Sequence, residues 1–183
     1  QFANITNTVM SNNTADSSVA NTFGAGVIIR AVNANVTFTN CTVTNNMAIA
    51  AGAFSGNGGG LYNQQAVMNV TNSVISGNTS THFVGGIRNL ASTGADSIVN
   101  VTDSTISGNT AVSQGGGIAN INGATFAATF NIVRSTISGN STTAAPVSAA
   151  VVTGTDQKRH EGAAHEQQQP QRSQQQHRRA EVL

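Results

Sequence analysis

Residues Asn69 to Asn78 read Asn-Val-Thr-Asn-Ser-Val-Ile-Ser-Gly-Asn, and this stretch decides the fold. It combines β-branched Val, Thr and Ile with the turn-formers Asn, Ser and Gly, a mixture that makes a poor helix. Apolar and polar positions alternate with period two, the signature of a half-buried strand. The phrase is one of five: TNTVMSNNTA from Thr6, TNCTVTNNMA from Thr39, TNSVISGNTS from Thr71, TDSTISGNTA from Thr102 and VRSTISGNST from Val133. Their closing asparagines, Asn13, Asn46, Asn78, Asn109 and Asn140, are spaced by 33, 32, 31 and 31 residues. A glycine phrase sits between copies, ending at Val27, Asn63, Asn89 and Asn120 (GAGV, GGGLYN, GGIRN, GGGIAN).

A repeat of this length suits several architectures, helical ones included. The residue chemistry selects strands, since no apolar stripe at i, i+3, i+4, i+7 runs through the body. Aligning the copies yields apolar columns: Ala3, Val36, Met68, Val99, Phe130; then Ile5, Phe38, Val70, Val101, Ile132; then Met10, Val43, Ile75, Ile106, Ile137. The glycine phrase adds Val27, Leu61, Ile87 and Ile118. These columns are expected to point inward, each fully buried side chain contributing about 1.5–3 kcal/mol. Polar columns such as Thr6, Thr39, Thr71, Thr102 and then Val133 are expected to face water.

The expected fold is therefore all-β: a right-handed parallel β-helix of about five coils of 31–33 residues, with equivalent strands stacked about 4.8 Å apart. The invariant column Asn13, Asn46, Asn78, Asn109, Asn140 is expected at a corner. There Asn tolerates left-handed backbone, and its amide can hydrogen-bond from coil to coil. A second column, Asn7, Asn40, Asn72, Asp103, Arg134, varies in charge and is placed on an exposed edge, with Asp103 and Arg134 forming a surface pair. Glycine before the apolar residue permits a sharp corner or close approach between coils.

Two compositions share the chain. All 22 Asn lie before Ser141, and 18 of 19 Gly lie before Asp156. The last 28 residues instead carry 8 Gln, five basic and four acidic side chains. Such a segment buries too little apolar surface to offset its ordering entropy. The division is 1–143 as repeat body and 144–183 as a polar, Gln-rich tail expected to be disordered. The body begins inside a repeat and carries no capping repeat, so neighbouring coils of a longer parent chain are expected. The Gln runs match Ser codons read in a neighbouring frame, which suggests a frameshift between Asn140 and Ser148.

Charge excludes several functions. Only 15 of 183 residues are charged, with a net charge of +1, too few for a basic nucleic-acid surface. No apolar run is long enough to span a membrane as a helix, and Cys41 is the single cysteine. Saccharide hydrolysis and elimination need clustered carboxylates or a carboxylate–metal–Arg group. The body offers only Asp16, Asp96 and Asp103. Arg88 and Arg134 could bind a uronate but are expected as solvated edge residues, His82 as a lone surface loop histidine. His160, His165 and His177 show no metal spacing. The glycine runs lack both the phosphate-loop form and the Asp of calcium-binding nonapeptides. No catalytic, cofactor-binding or metal residue is therefore assigned; the five-asparagine ladder is the structural site.

The alternation of Gly-Gly-x-apolar (Gly58 to Leu61, Gly85 to Ile87, Gly115 to Ile118) with apolar-x-x-Asn (Met10 to Asn13 through Ile137 to Asn140) resembles the repeats of right-handed parallel β-helix proteins of pectin-lyase-like architecture. It looks most like bacterial autotransporter-type passengers such as the polymorphic outer membrane proteins. The resemblance covers about 1–143. It implies a non-catalytic structural or adhesive segment, secreted or displayed at the cell surface or outer membrane. A host surface or a polysaccharide is the ligand class that role implies. The competing reading is a fragment of a polysaccharide lyase or hydrolase of the same fold.

Overall fold

The computed structural model describes residues 1–17, 21–50, 56–92 and 94–143. The expected tail at 144–183, with His160, His165 and His177, lies outside the described residues. The body is all β, without a helix among the described residues, and its strands form parallel stacks.

Each winding of the chain lays one strand on each of four faces. The first face stacks Phe2–Thr6, Asn35–Thr39, Val67–Thr71, Ser97–Thr102 and Ala128–Val133. The second stacks Val9–Ser11, Thr42–Thr44, Val74–Ser76, Thr105–Ser107 and Thr136–Ser138. The third runs from Thr14–Ser17 through Met47–Ala50, Thr79–Ser80 and Thr110–Ala111 to Ser141–Thr142. The fourth carries Val27–Arg30, Leu61–Gln64, Ile87–Leu90 and Ile118–Ile121. The five copies thus enclose four complete turns, the fifth being partial. At about 4.8 Å per coil the first and fifth strands are about 19 Å apart.

The register is the one the columns dictate. Ala3 pairs with Val36, Val36 with Met68, Met68 with Val99 and Val99 with Phe130. Ile75 lies between Val43 and Ile106, and Leu61 between Val27 and Ile87. The middle members Phe38, Val43, Leu61, Met68, Val70, Ile75, Ile87, Val99, Val101, Ile106 and Ile118 are buried in one continuous core. Ile5, Met10, Ile132 and Ile137, at the two ends, pack against it only partly buried. A slip of one residue would turn a whole strand inside out, so the apolar columns lock the winding.

The two repeated phrases meet in space. Gly60 lies under the next coil, where an added Cβ would stand 2.7 Å from the Gly86 carbonyl oxygen and 3.0 Å from Asn78 Nδ2. At Gly86 the same atom would meet the Gly117 oxygen at 2.3 Å and Asn109 Nδ2 at 3.1 Å. Glycine recurs here because backbone and ladder amide occupy the space of a side chain, not because the backbone is left-handed. Positive φ falls elsewhere, and one expectation is corrected: the ladder asparagines are not left-handed. The residue before each is, at Asn12, Asn45, Gly77, Gly108 and Gly139, with φ between 54° and 63°.

Candidate functional site

Asn46, Asn78 and Asn109 are fully buried, and a buried amide is tolerated only when its hydrogen bonds are made. Here they are made in a repeating pattern. Asn78 Nδ2 donates to Asn109 Oδ1 at 2.9 Å and to the Val43 carbonyl at 2.9 Å. Its Oδ1 accepts from the Asn46 backbone N–H at 3.0 Å and from Asn46 Nδ2 at 2.9 Å. The same bonds continue to Asn13 below and Asn140 above. Both donor hydrogens and both lone-pair sites are used, so the side chain is complete.

Further columns use the same logic, among them Asn69, Asn100 and Asn131 on the first face, with Asn69 donating to Asn35. Asn7, Asn40 and Asn72 form an exposed ladder, Asn72 Nδ2 donating to Asn40 Oδ1 at 2.7 Å and Asn40 Nδ2 to Asn7 Oδ1 at 3.1 Å. All five members of that column are left-handed, with φ from 46° to 54°, which explains its preference for Asn and Asp. Arg134 breaks the preference but is held by a two-pronged pair to Asp103, both bonds 2.7 Å. That hydrogen-bonded pair lowers the Asp103 carboxyl and raises the Arg134 guanidinium from their ordinary pKa values. Buried Asn63 and Asn89 form another ladder, Asn63 Nδ2 donating to Asn89 Oδ1 and Asn89 Nδ2 to Asn120 Oδ1. Below it stands Ile29, in register with Asn63, and Asn63 Oδ1 accordingly has no donor. Ser73, Ser104 and Ser135 each accept the backbone N–H one coil earlier, from Cys41, Ser73 and Ser104. Buried Cys41 occupies the serine position of its own coil, its Sγ 3.4 Å from the Thr39 oxygen.

The outer side of the fourth face differs from this regular surface. Alternation makes Tyr62 and Arg88, neighbours in register, outward residues. Both are nevertheless buried, and the expectation that Arg88 is a solvated edge residue is overturned. The cause is a second layer of chain. Thr22–Phe23 pairs with Gly56–Asn57, and the Phe83 N–H donates to the Gly56 carbonyl at 2.9 Å. This brings Phe23 to 5.3 Å from the Tyr62 ring. The Arg88 guanidinium carbon lies 5.0 Å from the Phe83 ring centre and 5.6 Å from that of Tyr62. Arg30 covers Phe23 at 5.2 Å, and its Nε shares Gln64 Oε1 with the Tyr62 hydroxyl. Burial raises the Tyr62 pKa, with Arg88 and then Arg30 opposing; burial likewise lowers that of Arg88, with Tyr62 opposing.

The remaining polar candidates are dispersed. Asp16 is an exposed strand residue opposite Ile49. Asp96 borders a groove of about 320 Å³ lined also by Asn33, Gln65 and Phe126. Its Oδ1 accepts the Ala127 N–H at 2.8 Å. His82 sits in a loop, half-buried, its ring edge-on to Phe83. Among the described residues no group of three or more His, Cys, Asp or Glu could hold a metal. No helix there is long and apolar enough to cross a membrane. No protein-family model matches the sequence, and no curated protein or solved structure does so either.

Proposed function

We propose that the chain is a segment of a bacterial surface or secreted protein in which a right-handed, pectin-lyase-like β-helix serves as stalk or adhesive surface, without catalysis. The observation that carries the reading is the separation of the carboxylates. Asp103 is committed to Arg134, Asp96 to the Ala127 amide, and Asp16 lies on the third face. Acid–base or elimination chemistry on a sugar polymer draws on carboxylates that converge. The regularity of the chain serves its side-chain ladders instead, which couple each coil to the next and suit a rod that holds its shape.

A glycan-binding screen run beside a uronate-cleavage assay tests this. Binding to immobilised polysaccharide or host glycans without release of unsaturated or reducing ends is expected. Turnover that survives purification to homogeneity would overturn the reading in favour of a lyase or hydrolase fragment.

A further inference from the structure

We propose that the outer side of the fourth face, around Arg88, Tyr62 and Arg30, binds a ligand bearing a carboxylate or sulfate group. The proposal rests on the adhesive reading above and gives it a place and a ligand chemistry.

Arg88 is the central observation. It is only 9% exposed, yet its guanidinium makes no hydrogen bond among the described residues, and its Nε is occluded without a partner. Among the described residues, the rings of Tyr62 and Phe83 flank this cation. Ring faces attract a cation but supply no acceptor for its N–H groups, and a buried charge is ordinarily paired and hydrogen-bonded. With Nε occluded, the two terminal nitrogens form the edge that would receive an anion.

Among the described residues the surroundings hold no counter-charge and supply a second cation. The three aspartates of the body are placed elsewhere, and none contributes to the electrostatics of Tyr62 or Arg88. Exposed Arg30 lies on the same side of the sheet, and Gln64, whose oxygen is already engaged by Arg30 and Tyr62, keeps its amide N–H groups for a further acceptor. Two oxygens of a carboxylate or a sulfate group match the guanidinium fork. Phe23, part-buried against the Tyr62 ring, is an apolar wall on that side, suited to the face of a sugar or other ring. Two uncompensated arginines in a body with so few charges favour an anion over a neutral ligand.

Isothermal titration calorimetry on the full chain tests the proposal with sodium glucuronate, sodium sulfate and glucose, the ionic strength being held constant with NaCl. Saturable binding of glucuronate, with or without sulfate, and none of glucose is expected. Glucuronate alone would assign a role to the ring wall; equal binding of sulfate would assign recognition to the anionic group. Arg88→Met should weaken binding at least tenfold, while Arg134→Met, which removes an ion-paired arginine elsewhere, should leave it unchanged. The fluorescence of Tyr62, the sole tyrosine in a chain without tryptophan, reports the same event. If circular dichroism shows Arg88→Met unfolded, Arg30→Gln is the second variant and should bind several-fold more weakly. The proposal is overturned if neither anion saturates, or if the folded variants bind as the parent does. Positive glycan binding with this site silent would leave the adhesive reading standing and remove only its location.

Discussion

Replacing Asn78 by alanine isolates what the buried ladder contributes. The substitution removes an oxygen that accepts two hydrogen bonds from Asn46 and a nitrogen that donates to Asn109 and Val43. The losses are unequal. Asn109 Oδ1 keeps the bond from the backbone N–H of residue 78, and Asn46 Nδ2 keeps the Met10 carbonyl. The Asn46 backbone N–H and the second Asn46 amide hydrogen are left aimed at an empty acceptor site. Each stranded buried donor costs about 1–3 kcal/mol, so a combined destabilisation of about 2–6 kcal/mol is expected. Ser76, two residues earlier, lies on the outward side and shares only a 3.2 Å contact with Thr44; Ser76→Ala should cost less than about 0.5 kcal/mol. Urea titration followed by circular dichroism gives both midpoints, and amide hydrogen exchange at Asn46 gives the local effect. Equal midpoints for the two variants, or undiminished protection of the Asn46 amide in Asn78→Ala, would refute the reasoning.

Gly86→Ala should prevent the native winding, because its Cβ would stand 2.3 Å from the Gly117 carbonyl oxygen; a soluble variant with unchanged urea midpoint would contradict the close-approach argument. Ile29→Asn should be milder than Ile87→Asn in the same titration. The first supplies a donor to the unsatisfied Asn63 Oδ1, recovering about 1–3 kcal/mol, whereas the second buries an amide with no ladder to join. Cys41→Ser should shift stability by less than about 1 kcal/mol, since serine is the residue of that column in later coils. The Cys41 thiol of the parent should react with a disulfide reagent only as fast as the first coils open. Tyr62 should ionise above the ordinary phenol range in an absorbance titration at alkaline pH. Because its folded pKa is raised, the associated stability is present below the unfolded pKa and lost as pH rises toward the folded value. A normal titration midpoint in the native protein would mean that the ring is not buried.

Much of the fold was legible because a solenoid writes the same spatial instruction five times. Val36, Met68, Val99 and Phe130 share no single side chain, but each is apolar at one phase of the repeat, and the phase survives where identity does not. The buried asparagine column was legible for the opposite reason: its amide bonds accept no other side chain, so identity is kept. Its backbone was misjudged, although the signal stood one residue earlier. The column Asn12, Asn45, Gly77, Gly108, Gly139 contains only residues that adopt positive φ readily. The Asn63, Asn89, Asn120 ladder was also within reach, since three of the four glycine phrases end on Asn.

The candidate binding face was hidden for a related reason. Period-two alternation places Arg88 outward from Ile87, and an outward arginine on a repeat strand reads as solvated. What buries it comes from segments outside the repeated phrases: Thr22–Phe23, Gly56–Asn57 and Phe83. Aligning copies discards such segments, because they pair from coil to coil, Phe23 with Asn57, without keeping a residue pattern. The repeat therefore describes what every coil shares, core and ladders, while the aromatic and cationic side chains that distinguish one side of the rod gather where the repeat lapses. A binding function confined to one stretch of a solenoid requires some such departure, since a surface repeated in every coil presents the same groups along its whole length. In this chain the departure and the unpaired arginine coincide, which is why substitution at Arg88 tests function while substitution at Asn78 tests only the scaffold.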